Sequence, residues 1–250
     1  MEEYEPHINM GNTVFAGVDY EDILKEAEKD ADVIIWDGGN NDFSFYKSDL
    51  YIVIADPHRP GHEIQYYPGE INFRMADIII INKVDTARKE GVDTVKENIS
   101  KFNPDAAVVE AGSPITVENP DLIEGKKVLV IEDGPTLTHG GMSYGAGFVA
   151  AKKYNAGKIV DPRPFAVGSI KETYMKYKNT GEVLPAMGYG NKQIEELEKT
   201  INASNVDSVI IGTPIDLGKL ISINIPSTRV QYELDVKGDN TIREAIKRIF

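Results

Sequence analysis

The run Asp77 to Ile81, four isoleucines behind one aspartate, is followed at once by Asn82-Lys83-Val84-Asp85, and it constrains this chain more than any other feature. A stretch without polar alternation does not suit a half-solvated antiparallel sheet. It reads as a strand buried on both faces, and such strands belong to parallel sheets covered by helices. Leu50 to Ala55, ending at Asp56, and Ala106 to Glu110 repeat the pattern, as does Val33-Ile34-Ile35-Trp36, ending at Asp37. Between these runs the periodicity changes. Tyr20 to Asp30, with Asp19 as N-cap, and Val92 to Phe102 read as helices. No strand or helix signal precedes about Thr13. The expected class is α/β, doubly wound around a mostly parallel sheet.

The second half continues the alternation. Val128 to Ile131, Ile159-Val160, Ser208 to Ile211 and Val230 to Leu234 read as strands, and Val149 to Tyr154, Ile170 to Lys178, Gln193 to Ala203 and a segment from Thr241 as helices. The polar, turn-rich stretch from Val117 to Lys127 is the expected boundary. It divides the chain into residues 1–124 and 125–250, which either share one sheet or form two. Lys and Arg number 27 against 40 Asp and Glu, a net charge of −13. That balance argues against a nucleic-acid or anionic-membrane surface, either of which needs a basic footprint. Cysteine is absent, so disulfides, thiolate metal sites and a cysteine nucleophile are excluded. No apolar run reaches the roughly 18 residues of a membrane span, and the start lacks a signal-peptide pattern. The expected location is cytoplasmic.

In open α/β sheets ligands bind beyond the carboxyl ends of the strands, and here those ends carry polar sets. Asn82-Lys83-Val84-Asp85 has the Asn-Lys-x-Asp pattern of GTP-binding proteins, in which a carboxylate accepts two hydrogen bonds from guanine while the Lys stem covers the base. Ala111-Gly112-Ser113 leaves the next strand and offers backbone amides to the same base. Asp37-Gly38-Gly39 suits either an Asp-Gly turn or a water-mediated Mg²⁺ site beside a terminal phosphate. Asp56-Pro-His58-Arg59-Pro60-Gly61-His62 brings Arg59 and a histidine to a phosphate or carboxylate. A metal between the two histidines is disfavoured because Pro60-Gly61 forbids the helix that the spacing needs. The glycine-rich stretch from Glu132 through His139-Gly140-Gly141 to Gly147 opens a helix as an anion nest, with His139 as donor or proton carrier. Gly145-x-Gly147-x-x-Ala150 matches a relaxed dinucleotide fingerprint without its tight turn. The phosphate loop Gly-x-x-x-x-Gly-Lys-[Ser/Thr] is not spelled; Gly212 to Lys219 has one residue too many, and Leu220 stands where the hydroxyl belongs.

Taken together, Trp36-Asp-Gly-Gly-Asn-Asn-Asp-Phe, Asp56-Pro-His-Arg-Pro-Gly-His, Asn82-Lys-Val-Asp, Glu132-Asp-Gly-Pro-Thr-Leu-Thr-His-Gly, Asp161-Pro-Arg-Pro and Gly212-Thr-Pro-Ile-Asp-Leu make the chain resemble the cyclic 2,3-diphosphoglycerate synthetase family over essentially all 250 residues. Members of that family are longer, so the resemblance implies their C-terminal portion. That portion is a GTPase-like nucleotide lobe lacking its P-loop at 1–124, and a C-terminal α/β substrate lobe at 125–250. It implies an ATP-driven ring closure of 2,3-diphosphoglycerate with Mg²⁺, although many relatives are described as predicted GTPases. By position, Asp37 serves the metal and the chemistry, Gly38 and Gly39 the phosphates, and Asn82, Lys83, Asp85 and Ser113 the base of ATP or GTP. Arg59, His62, Arg74, His139, Gly140, Gly141 and Arg163 are candidates for an anionic phosphometabolite, with Arg59 and His139 also catalytic. The chain alone is expected to be inactive, completed by a separate P-loop-bearing chain or a second copy. The alternatives are a GTP- or phosphometabolite-binding module without turnover, and a structural or regulatory remnant.

Overall fold

A computed structural model describes residues 4–39, 42–138, 143–188 and 190–249. In chain order its elements are α1 (Glu5–Asn9), α2 (Tyr20–Asp30), β1 (Ile52–Ala55), α3 (His62–Gln65), α4 (Gly69–Met75), β2 (Ile78–Ile81), α5 (Lys89–Phe102) and β3 (Ala107–Glu110). There follow β4 (Ile115–Val117), β5 (Lys127–Asp133), α6 (Gly134–Thr138), α7 (Ala146–Lys153), β6 (Lys158–Ile159), α8 (Gly168–Lys176), β7 (Leu184–Ala186), α9 (Asn191–Ala203), β8 (Ser208–Gly212), β9 (Ser227–Tyr232) and α10 (Thr241–Lys247). The chain divides into two compact units, residues 1–14 with 115–232, and residues 15–114 with 233–250. The expected boundary at 124/125 therefore falls inside the first of these. The polar stretch there packs as a short 3-10 turn, Pro120–Leu122, with Ile123 fully buried.

The unit of residues 15–114 and 233–250 is built on the isoleucine run. β2 lies between β1 and β3 in a three-stranded parallel sheet, with Ile78 opposite Ile52 and Ala107, and Ile81 opposite Ala55 and Glu110. All four isoleucines are buried, because each face of the sheet is covered. Ile79 and Ile81 pack with Phe73 of α4 and Val92, Val95 and Ile99 of α5. Ile78 and Ile80 pack with Val109, Ala111 and, from the far end of the chain, Ile242 and Ala245 of α10. Asn103 closes the first layer, its buried amide donating to the carbonyls of Phe73 (2.9 Å) and Ala76 (2.8 Å) at the end of α4.

Two expectations fail here. Val33 to Trp36 forms no strand, and Ile35 is 87% exposed. Trp36 instead joins an aromatic cluster, its ring 5.1 Å from Tyr20, 5.2 Å from Tyr46 and 6.1 Å from Phe45. An apolar run carries the same signal whether or not a neighbouring strand pairs with it, and this one finds aromatic side chains instead of a ladder. The second correction is α1, a helix in a stretch that showed no signal. Pro6 in its first turn suits a helix start, and Glu5 is held in its own unit by the Asp216 amide (3.2 Å) and by Lys219.

That unit, residues 1–14 and 115–232, holds a mixed sheet in the order β4-β9-β8-β5-β6, with β7 also on β5. Only β4 runs antiparallel to its neighbour, β9; β5, β6, β7, β8 and β9 pair in parallel. β5 and β8 form the centre, with Leu129 and Ile131 on one side among Leu184, Leu197, Ile201 and Val209. Val128 and Val130 face Ala150, Ala151 and Ile210 on the other. The α/β class with parallel strands is therefore as expected, carried by two separate sheets.

Candidate nucleotide site

In the unit built on the isoleucine run, the register of β1, β2 and β3 aligns three strand ends at Ala55, Ile81 and Glu110, so their exit loops meet at one edge. The β2 loop turns sharply. Asn82 accepts the Lys83 N–H at 2.8 Å through its side-chain oxygen, and Lys83 takes a left-handed φ of 58°. Only a small share of non-glycine residues adopt such a backbone, and they concentrate at functional loops. Val84 donates to the Ala111 carbonyl (3.1 Å), tying the β2 loop to the β3 loop. The Asp85 carboxylate then accepts the Ser113 N–H at 3.1 Å. Asn82, Lys83, Asp85 and Ser113 are thus brought together as the spacing suggested. One Asp85 oxygen is engaged by the loop, and the exposed carboxylate keeps acceptor capacity toward solvent.

The β1 loop adds residues not singled out from the sequence. Asp56 accepts the His58 N–H (3.0 Å) and two bonds from the Arg59 guanidinium (3.1 and 2.9 Å), and it lies 3.9 Å from the Lys83 ammonium. Half-burial alone would raise the Asp56 carboxyl, but the His58 amide, Lys83 and Arg59 outweigh it and hold the group below its ordinary value. Thr86 bridges the loops, bonding the Lys83 carbonyl and sitting 3.0 Å from His58 Nε2. The signal for Asp56 was its place at a strand end; Thr86 carried none.

Helix α5 supports this edge from below. Gly91 packs so closely on the β1 loop that a Cβ there would stand 2.2 Å from the Pro57 carbonyl oxygen. Backbone cannot yield as a side chain does, so Gly91→Ala is expected to cost about 1–3 kcal/mol by overpacking and to shift the Asp56–Arg59 loop. Urea unfolding would read the first effect and nucleotide titration the second.

The other candidates lie elsewhere or are engaged. Asp37 is exposed at the end of the unpaired segment, and the Gly39 N–H is directed to Asp42 (3.2 Å). Among the described residues, no three His, Asp or Glu side chains converge as a metal site. Arg74 bonds Glu70 one helical turn away at 2.9 and 2.7 Å and stacks on Phe102. His62 begins α3 with its ring 5.0 Å from that of Tyr66. Arg163 belongs to the other unit, where its Nε bonds both Asp161 oxygens (2.8 and 2.9 Å). Asp161 raises the Arg163 guanidinium above its ordinary range in return. His139, Gly140 and Gly141 lie outside the described residues. The expected anion nest before α7 needs correcting in one respect: the N–H groups of Gly145, Gly147 and Phe148 are already taken by the Glu132 carboxylate.

A parallel sheet whose central strand is buried on both faces, with an Asn-Lys-x-Asp turn at its carboxyl edge, is an α/β arrangement of the kind that suits a nucleotide-binding lobe. Residues 8–111 match the family model of the cyclic 2,3-diphosphoglycerate synthetase P-loop domain, so this part of the chain is similar to that family. The match overturns the expectation of a lobe lacking its P-loop: residues 8–111 match a P-loop domain, although the consensus phosphate-loop string is not spelled within the 250 residues. The chain is 62% identical over 246 residues to a Thermococcus kodakarensis protein named arginine synthetase ArcE, covering 98% of this chain and 55% of that relative. It is 30% identical over 114 residues to a cyclic 2,3-diphosphoglycerate synthetase of Thermococcus sibiricus, covering 45% of this chain and 26% of the relative. With the Pyrococcus furiosus protein of the same name it shares 26% over 98 residues, 37% of this chain and 23% of that one. The chain thus spans about half the length of the first of these relatives, or less for the others. No helix among its described residues is long and apolar enough to cross a membrane.

Proposed function

We propose that this chain supplies the nucleotide-binding lobe and a second α/β unit of a nucleotide-dependent synthetase whose product is arginine. The observation that carries the reading is the 62% identity extending over 98% of the chain to a protein named for that product. Likeness to the cyclic 2,3-diphosphoglycerate synthetases is lower and covers less than half of the chain. A substrate with two phosphates needs unpaired guanidinium or ammonium groups. Arg59, Arg74 and Arg163 are each bound to a carboxylate two to four residues away. In this reading Asn82, Lys83, Asp85 and Ser113 hold the base of GTP or ATP. A Mg²⁺ ion bound with the nucleotide would neutralise phosphate charge, and Asp37 is the candidate to hold it; one carboxylate together with phosphates suffices for Mg²⁺.

The test runs the synthetase backwards. The purified protein is incubated with arginine, inorganic phosphate, Mg²⁺ and either ADP or GDP, and nucleoside triphosphate is measured. A parallel sample receives 2,3-diphosphoglycerate with ATP and is read by phosphorus NMR. Arginine-dependent triphosphate formation supports the proposal. Cyclic 2,3-diphosphoglycerate in the second sample, with no triphosphate in the first, overturns it.

A further inference from the structure

Glu132, at the C-terminal end of β5, is 1% exposed and takes no part in the nucleotide site. Its Oε1 accepts the N–H groups of Gly145 (3.0 Å) and Phe148 (2.8 Å), and its Oε2 that of Gly147 (3.2 Å). These are the amides at the start of α7, the ones a helix leaves without internal partners. The fit depends on three glycines. A Cβ at Gly145, Gly147 or Gly212 would stand 2.6, 3.3 or 2.7 Å from a Glu132 oxygen. One carboxyl group therefore joins the end of β5, the end of β8 and the first turn of a helix that begins more than ten residues later. The segment leading into that turn is held a second time, by the Gly181 N–H on the Ser143 carbonyl at 2.9 Å.

We infer that Glu132 is a positioning residue that seats the start of α7 on the carboxyl ends of β5 and β8, and that its protonation sets how firmly the seat holds. Burial pushes the Glu132 carboxyl up to about 7 against the pull of the Phe148, Gly147 and Gly145 amides, and Asp133 adds repulsion. Among the described residues, Asp133, on the same strand, is the titratable neighbour that acts on it. α7 faces the group with Gly145, Gly147 and Phe148, β7 with Pro185 and β8 with Gly212, none of which titrates. The neutral acid can keep all three bonds, since a carbonyl oxygen accepts two N–H groups and a hydroxyl oxygen accepts one. A carboxyl that binds its proton more tightly when seated than when solvated favours the seated form at low pH. The seat is therefore firmest below about 4.5, the value of a solvated Glu, and loosens as pH rises through about 7.

The experiment is amide hydrogen exchange at Gly145, Gly147 and Phe148 between pH 5.5 and 8.5, corrected for the intrinsic rate, on wild type and on Glu132→Gln. Carbon-13 titration of the Glu132 carboxyl in wild type accompanies it. A midpoint near 7 in place of 4.5 allows a fall in protection of about 300-fold over all pH, of which about 30-fold lies between pH 5.5 and 8.5. Wild type is expected to lose protection from pH 5.5 to about 7 and to level off above it, with the carboxyl titrating near 7. Gln cannot ionise but keeps the two bonds at its oxygen, so its protection should not vary with pH. A carboxyl midpoint near 4.5, unchanged wild-type protection, or the same pH dependence in Glu132→Gln would each overturn the inference. Should Glu132→Gln fail to fold, the wild-type carbon titration decides alone. None of these readouts requires turnover, so they stand apart from the synthetase reading.

Discussion

Asp85→Asn is expected to weaken GTP binding about 100-fold and to create affinity for xanthosine triphosphate. A carboxylate accepts from both the N1–H and the exocyclic amine of guanine. An amide presents N–H₂ to one of those donors, so one charge-assisted bond is lost and a donor faces a donor. Losing such a pair costs about 3 kcal/mol, or about two orders of magnitude in affinity. Xanthine carries a carbonyl where guanine has its amine, and the Asn amide can donate to it. The substitution suits the test because Asn Oδ1 can still accept the Ser113 N–H that Asp85 accepts at 3.1 Å, leaving the β3 loop in place. Isothermal titration of GTP, ATP and xanthosine triphosphate with Mg²⁺ reads the outcome. Equal GTP affinity in wild type and variant, or ATP preferred by wild type, would remove Asp85 as the reader of the base.

Phe73→Ala is expected to lower stability by about 3–5 kcal/mol, the range for emptying a fully buried aromatic site. Phe73 is wholly buried against Ile79 and Ile81 on one side and Val92, Val95 and Ile99 on the other. Strand and helix both run through this cluster, so collapse into the cavity is restricted from both directions. The carbonyl of the same residue is held by Asn103, which limits how far α4 can follow. A urea-unfolding midpoint compared with wild type gives the measurement. A loss below about 1 kcal/mol would mean that the layer between α4, α5 and the sheet repacks freely.

How much of this was legible in the chain depends on where each element finds its partners. The isoleucine run could be read because both of its faces are covered, which leaves no polar position to blur the pattern. Val33 to Trp36 carries as strong a pattern and forms no ladder, since pairing depends on a neighbour that the run itself does not encode. β7 was missed because it is three residues long and has Pro185 at its centre, in a strand completely buried. At the site, Asn82, Lys83, Asp85 and Ser113 were legible because they sit at consecutive strand exits. The pairing of Arg59 with Asp56, and of Arg74 with Glu70, removes those arginines from the pool of free cations, and both spacings were open to inspection. The partners of Glu132 were not, because its donors are backbone amides of glycines and Phe148, which differ from any other amide only by position.

α10 reaches the isoleucine sheet only after the other unit has been threaded between them, and this sets a timetable for synthesis. Residues 15–114 emerge with Ile78 and Ile80 lacking Ile242 and Ala245, which follow more than 120 residues later. At roughly 5–20 residues per second, the newborn sheet waits roughly 6–25 s with that face uncovered. The carboxyl edge of the sheet shares the delay, since Gly112, beside Ser113, exchanges both backbone hydrogen bonds with Asp235 at 2.8 and 2.9 Å. A ribosome stalled in the intervening unit would therefore hold a nascent chain whose Gly112–Ser113 loop still lacks its last neighbour.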